Sequence, residues 1–90
     1  MAHSKQAKKR IRTSERKRLQ NKGVASRMRT HVKRVLAAVE GGDLDAARQA
    51  LPGAIKRIDK AAQSRVLHKN AAANRKSMLA RAIARVAAAN

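Results

Sequence analysis

Apolar residues recur along this chain with the spacing of amphipathic helices, and no stretch shows the alternation of a half-buried strand. Ala, Arg and Lys are the commonest residue types, and all three, like the few Gln, favour helices. Three separate stretches carry the helical pattern. The sequence therefore predicts an all-α protein, a three-helix bundle with an overlong, basic N-terminal helix, in a single domain that covers residues 1–90.

The first helix is predicted over about residues 4–40, because no Pro interrupts it and the Gly pair at 41–42 is a typical helix stop. As one helix it would be about 55 Å long, which exceeds the width of a small domain. Residues 4–20 contain too few apolar positions for a core face, so we expect them to project from the bundle. The second half has an apolar stripe of Val24, Met28, Val32, Val35, Leu36 and Val39.

The second helix is predicted over about residues 44–63, with Asp43 as N-cap and a kink or break near Pro52. The third is predicted over about residues 68–88. The short connection around residues 64–67 favours antiparallel packing of these helices. The expected core stripes are Leu44, Ala47, Leu51, Ile55, Ile58 and Ala62 on the second helix, and Ala71, Ala72, Met78, Leu79, Ala82, Ile83 and Val86 on the third.

Positive charge is concentrated in the leading third of the chain. Thirteen of the first 34 residues are Lys or Arg and one, Glu15, is acidic, which gives +12 of the total formal charge of +18. Solvated faces normally mix both signs, whereas a segment this basic needs an anion such as a nucleic-acid backbone. The candidate RNA contacts in this segment are Lys5, Lys8, Lys9, Arg10, Arg12, Arg16, Lys17, Arg18, Asn21, Lys22, Arg27, Arg29, Lys33 and Arg34.

Other chemistry is poorly supported by the sequence. The chain has no Cys, its three His lie in separate segments, and its four Gly match no phosphate-binding loop. We therefore expect no enzyme activity, no cofactor, no metal site and no small-molecule substrate. No run approaches the roughly 18 apolar residues of a membrane span, so no membrane partner is expected.

The absence of Phe, Tyr and Trp narrows the expected nucleic-acid ligand, because modules that read single-stranded RNA usually stack bases on aromatic rings. The chain should instead read phosphate geometry and folded shape. Twenty of its 39 apolar residues are Ala, which predicts a small core. We expect the basic segment to be disordered alone and helical when bound.

The order and spacing of several motifs resemble the bacterial small-subunit ribosomal protein S20 family over nearly the full length. Residue pairs or runs at 1–2, 4–10, 16–18, 28–30, 40–43, 58–62, 68–72 and 75–77, together with Asn21, carry this resemblance. Asn74 and Met78 depart from the more basic pattern of the family's third helix.

The resemblance implies three helices with a long first one and a monomer in the cytoplasmic ribosome. It also implies binding to the 5′ domain of small-subunit ribosomal RNA early in assembly, and a contact with the penultimate stem of that RNA. By motif match, the RNA-facing residues of the third helix would be Lys69, Asn70, Arg75, Lys76 and Ser77. His68 beside them either touches a phosphate or base edge or serves only to start the helix.

Two other classes of function fit a small basic protein. A histone-like, DNA-compacting protein would also be Ala-rich and cationic, but the chain has neither helix-turn-helix spacing nor a minor-groove wedge. An amphipathic, membrane-surface polycation would pair its cations with Trp, Phe or Leu, and the basic segment lacks that face.

Overall fold

A computed structural model describes residues 5–89, with side chains from residue 7 onward. It contains three helices: α1 (Lys5–Glu40), α2 (Leu44–Gln63) and α3 (Lys69–Ala89). No strand occurs between residues 5 and 89, so the prediction of an all-α bundle with an overlong first helix is confirmed. The molecule extends 67 Å along its longest axis but only 21 and 16 Å across, because α1 continues far beyond the bundle.

Each helix contributes one fully buried large side chain to the core. Val35 of α1, Ile58 of α2 and Leu79 of α3 are all 0% exposed. The apolar stripe predicted for α1 is correct, since its six residues are buried or packed against the core. The prediction that Met78 belongs to the α3 core stripe is wrong, since Met78 is 44% exposed. Its side chain leaves the helix axis at about 100° from that of the buried Leu79 and therefore faces solvent.

The core face of α2 is shifted relative to the prediction, toward its alanines and away from Ile55. Ala47, Ala54 and Ala61 are 0% exposed and recur every seven residues, whereas Ile55, predicted to be in the stripe, is only half-buried. Small side chains on this line allow neighbouring helices to approach α2 closely. Beside the line, a Cβ added at Gly53 would lie 3.2 Å from His31 Nδ1, so the glycine makes room for the imidazole.

The turn between α1 and α2 satisfies both helix ends. The Gly42 N–H donates to the Val39 carbonyl and the Asp43 N–H to the Ala38 carbonyl, which is the Schellman pattern, with Gly42 at a φ of +69°. The Asp43 side chain accepts a 3.0 Å hydrogen bond from the Ala46 N–H, as predicted for an N-cap.

Helix α2 ends in the same pattern without a glycine. The Arg65 N–H donates to the Ala62 carbonyl and the Val66 N–H to the Ala61 carbonyl, while Arg65 has a φ of 60°. This left-handed conformation costs an L-residue roughly 1–2 kcal/mol. Val66 and Leu67 then pack against the core and close this end of the bundle.

Replacing Arg65 by Gly is therefore expected to stabilise the bundle by about 0.5–1 kcal/mol, since the steric cost disappears and part of the gain is lost to backbone entropy. The melting temperature should rise by about 2–8 °C. Arg65→Ala is the matched control, because it removes the charge but keeps the unfavourable φ. Equal melting temperatures for the Gly and Ala variants would show that charge relief, not backbone conformation, is responsible.

Helix α2 continues through Pro52 without a break. Pro52 cannot donate to the Arg48 carbonyl, but both residues are exposed, so water can bind that carbonyl. The alternative of a break is thus wrong, and the kink near Pro52 stays a prediction.

Residues 8–20 of α1, here called the arm, are exposed throughout. Partial burial resumes at Asn21, and Val24 is the first α1 residue to pack against the core. The two large apolar side chains of the arm, Ile11 and Leu19, are 57% and 65% exposed. The arm accordingly projects from the bundle, as its poverty in apolar positions predicts.

Candidate nucleic-acid interface

The arm presents positive charge in every direction around its axis. It carries seven cations, at positions 8–10, 12 and 16–18, and the acidic residue Glu15. At 100° per residue these cations cover most of the circumference. Two open grooves flank Thr13, whose hydroxyl donates to the Lys9 carbonyl at 2.8 Å. Basic side chains of the arm line both grooves.

Most of the predicted contact residues are accessible to a ligand. Lys5 lies in α1, but its side chain is outside the described part of the structure. Asn21, Arg75, Lys76 and Ser77 are half-buried. The exposed members are Lys8, Lys9, Arg10, Arg12, Arg16, Lys17, Arg18, Lys22, Arg27, Arg29, Lys33, Arg34, His68, Lys69 and Asn70.

On α3, two predicted contact residues have partners within the chain. The Lys76 ammonium lies 2.9 Å from a carboxylate oxygen of Asp59 and so links α3 to α2. With side chains 39% and 54% exposed, such a surface pair contributes about 0–1 kcal/mol. The Ser77 hydroxyl accepts a 2.9 Å hydrogen bond from the Arg81 guanidinium.

Arg81 is a further candidate RNA contact, which was not predicted from the sequence. Ser77 holds one of its nitrogens, and the other donors of the exposed guanidinium remain available for a phosphate. Arg85, one turn further along α3, is also exposed. Ser77, Arg81 and Arg85 follow one another at i,i+4 spacing, so the sequence could have shown that they share one face of α3.

His68 serves as the N-cap of α3. Its Nδ1 accepts a 3.1 Å hydrogen bond from the Asn70 N–H, as expected for a residue that starts the helix. Nδ1 is the acceptor in this bond, so Nε2 is the ring nitrogen left to contact a ligand. Because the side chain is exposed, Nε2–H can still donate to a phosphate oxygen.

His31 belongs to α1, and its side chain faces α2 close to two arginines. Burial, then the charges of Arg34 and Arg57, lower the pKa of His31 below its usual 6.5. The imidazole is therefore neutral at physiological pH and packs against Gly53 as an uncharged ring.

This lowered pKa predicts that the bundle loses stability in mild acid. The unfolded chain takes up the His31 proton more readily than the folded chain, so stability is complete above about pH 6.5 and decreases as the pH falls below it. Thermal unfolding at about pH 7.5 and about pH 5.5 measures the effect. A His31→Gln variant should lose much of the difference, and an unchanged difference would assign it to other groups.

Clusters of metal-binding side chains, apolar helices of membrane length and buried polar groups were looked for among residues 5–89. No group of three or more His, Cys, Asp or Glu side chains that could hold a metal occurs within residues 5–89. No described helix combines the length and apolar character needed to cross a membrane. No polar or charged residue is buried in the described bundle, so the side chains of its core are all apolar.

A small helical bundle with an exposed polycationic helix extension belongs to the class of basic proteins suited to binding a folded polyanion. Comparison with known proteins makes this class specific. The family described as Ribosomal protein S20 matches residues 2–84 of the chain.

The chain also resembles individual proteins called "Small ribosomal subunit protein bS20". It is 50% identical to the one from Mycolicibacterium vanbaalenii and 48% identical to the one from Kocuria rhizophila, in both cases over 96% of this chain and 100% of the relative. The relative from Kineococcus radiotolerans is 50% identical over the same shares. The chain belongs to the ribosomal protein S20 family, which confirms the resemblance seen in its motifs.

Proposed function

We propose that this protein is a structural constituent of the small ribosomal subunit that binds folded ribosomal RNA directly. The observation that carries the proposal is the arm: thirteen consecutive exposed residues, from 8 to 20, with seven cations and one acid. The names of the relatives support the ribosomal context. In this function the protein acts without catalysis, as a monomer in the cytoplasmic ribosome.

The proposed partner is the 5′ domain of small-subunit ribosomal RNA during assembly. A helix that is cationic all round suits a crowded, concave RNA surface that can surround it, whereas one groove of straight duplex DNA contacts mainly one side. The arm supplies forked Arg contacts and Lys point charges to phosphates from several strands. The start of α3, with Lys69 and Asn70, adds contacts from the bundle.

Coupled folding is part of the proposed mechanism. The exposed arm gains no stability from core packing, and its cations repel one another. In free solution its helix is therefore expected to fray, and neutralisation by phosphates stabilises the helical form described here. The bundle, which holds the buried core, provides a fixed base for this transition.

A binding competition tests the proposal. Transcribed 5′-domain RNA and duplex DNA of similar length are compared at the same salt concentration, and crosslinks within reconstituted small subunits locate the contact. The proposal predicts preference for the RNA and crosslinks from arm residues. Equal or stronger binding to duplex DNA would support the histone-like alternative instead.

A further inference from the structure

A cationic trough lies where the arm leaves the bundle. One cleft of 240 Å³ is lined by Val24 and Arg27 of α1, Arg57, Lys60 and Gln63 of α2, and Ser64. A second cleft of 810 Å³ shares Val24, Arg27 and Ser64 with the first and extends along Lys17, Gln20 and Asn21. The two clefts adjoin at these three shared residues, and together they are here called the junction trough.

The lining of the junction trough is suited to an anionic, hydrogen-bonding ligand. Four cations converge on it from two helices, at positions 17, 27, 57 and 60, and no acidic residue lines either cleft. The side chains of Gln20, Asn21, Gln63 and Ser64 add neutral donors and acceptors of the kind that bind ribose and phosphate. Val24 and Leu19 are the large apolar side chains in the lining.

The charge of α2's own C-terminus does not account for this cluster. The carbonyls of Lys60, Ala61 and Ala62 already accept hydrogen bonds from the turn that follows the helix. A helix end carries roughly half a negative charge, which one Lys in the last turn suffices to balance. Asp59, the nearest acid in sequence, pairs with Lys76.

We propose that the junction trough binds a ribose–phosphate segment of RNA, as a contact site that extends from the root of the arm onto α2 and is separate from the start of α3. The inference rests on the proposed function and adds Arg57, Lys60, Gln63 and Ser64 to the interface. The trough adjoins the root of the arm, so RNA that surrounds the arm can continue into it. Binding there fixes the direction in which the arm leaves the bundle.

Charge reversal at the trough tests the proposal. The double variant Arg57→Glu/Lys60→Glu is expected to bind 5′-domain RNA about 10²-fold more weakly than the wild type, because two charge-assisted contacts become repulsive. Arg48→Glu/Lys56→Glu is the matched control: it makes the same change in net charge at exposed positions of the same helix that line neither cleft of the trough. The control should lose less than about tenfold.

Hydroxyl-radical footprinting gives a second readout. The trough variant should lose protection of one RNA segment while the nucleotides protected by the arm stay protected. Circular dichroism checks folding, and the milder pair Arg57→Gln/Lys60→Gln, compared with Arg48→Gln/Lys56→Gln, replaces the reversals where a reversal prevents folding.

The outcomes separate the trough from the proposed function. Equal losses of RNA affinity in the trough and control variants would overturn the proposal that the trough binds RNA, and so would wild-type affinity of the trough variant. Neither result would contradict RNA binding by the arm. Failure of the wild-type protein to prefer folded RNA over duplex DNA would instead overturn the proposed function.

Discussion

Raising the salt concentration from about 50 to about 200 mM is expected to weaken binding of 5′-domain RNA by about 10³–10⁵-fold. The expectation follows from the number of phosphates that the protein can neutralise. The arm alone exposes seven cations, and the bundle adds Arg27, Arg57 and Lys60 of the trough and Lys69 at the start of α3, so about 6–10 phosphate contacts are expected. Each contact releases condensed counterions, and added salt opposes that release.

Fluorescence titrations at several salt concentrations measure this dependence as the slope of log affinity against log salt. A nearly flat dependence would reject phosphate neutralisation as the source of affinity. A deletion of residues 1–20, which removes the arm, should reduce the slope markedly, and a shortened protein with the wild-type slope would place the phosphate contacts elsewhere.

Replacing both Arg16 and Arg18 by Glu is expected to weaken RNA binding by about 10²–10⁴-fold. Two charge-assisted hydrogen bonds contribute about 3–6 kcal/mol together, and the reversed charges add repulsion. Both positions lie in the fully exposed arm, so the substitutions leave the core untouched. Stability of the bundle in thermal unfolding should therefore remain close to that of the wild type.

The Arg48→Glu/Lys56→Glu variant serves as control here as well, because it has the same net charge as the arm variant. A loss of affinity shared equally by the two would indicate a long-range effect of total charge. Affinity of the arm variant within about threefold of the wild type would exclude these two arginines from the interface.

The helices and their ends could be predicted because their signals are local. Gly42 at a positive φ and Asp43 as N-cap are encoded by residue types with strong conformational preferences. The end of α2 has the same geometry but uses Arg65, a residue with no preference for a left-handed conformation, so the sequence indicates only a short connection there. The burial of Ala54 and Ala61 in α2 was not predicted either, since small residues become core only when another helix approaches them.

The interface could be predicted only where its residues are close in sequence. The arm is a contiguous run of cations, and its direction away from the core follows from the lack of apolar positions. The trough combines Arg27 with Arg57 and Lys60, which are brought together by the packing of α1 on α2. The pairing of Lys76 with Asp59 also depends on packing between helices, and it gives one predicted contact a partner within the chain.

The arm and the bundle are thus stabilised in different ways. The bundle has a complete apolar core, with Val35, Ile58 and Leu79 fully buried, and holds its shape by packing. The arm has no such packing and depends on a ligand, which stabilises the ordered state in proportion to its binding free energy.

Amide hydrogen exchange of residues 8–20, measured for the free protein and for its complex with 5′-domain RNA, tests this division most directly. In the free protein these amides should exchange within about tenfold of an unstructured chain, while core amides of the bundle remain protected. In the complex the arm amides should be slowed by at least about a hundredfold. Strong arm protection already in the free protein, or none in the complex, would contradict the account.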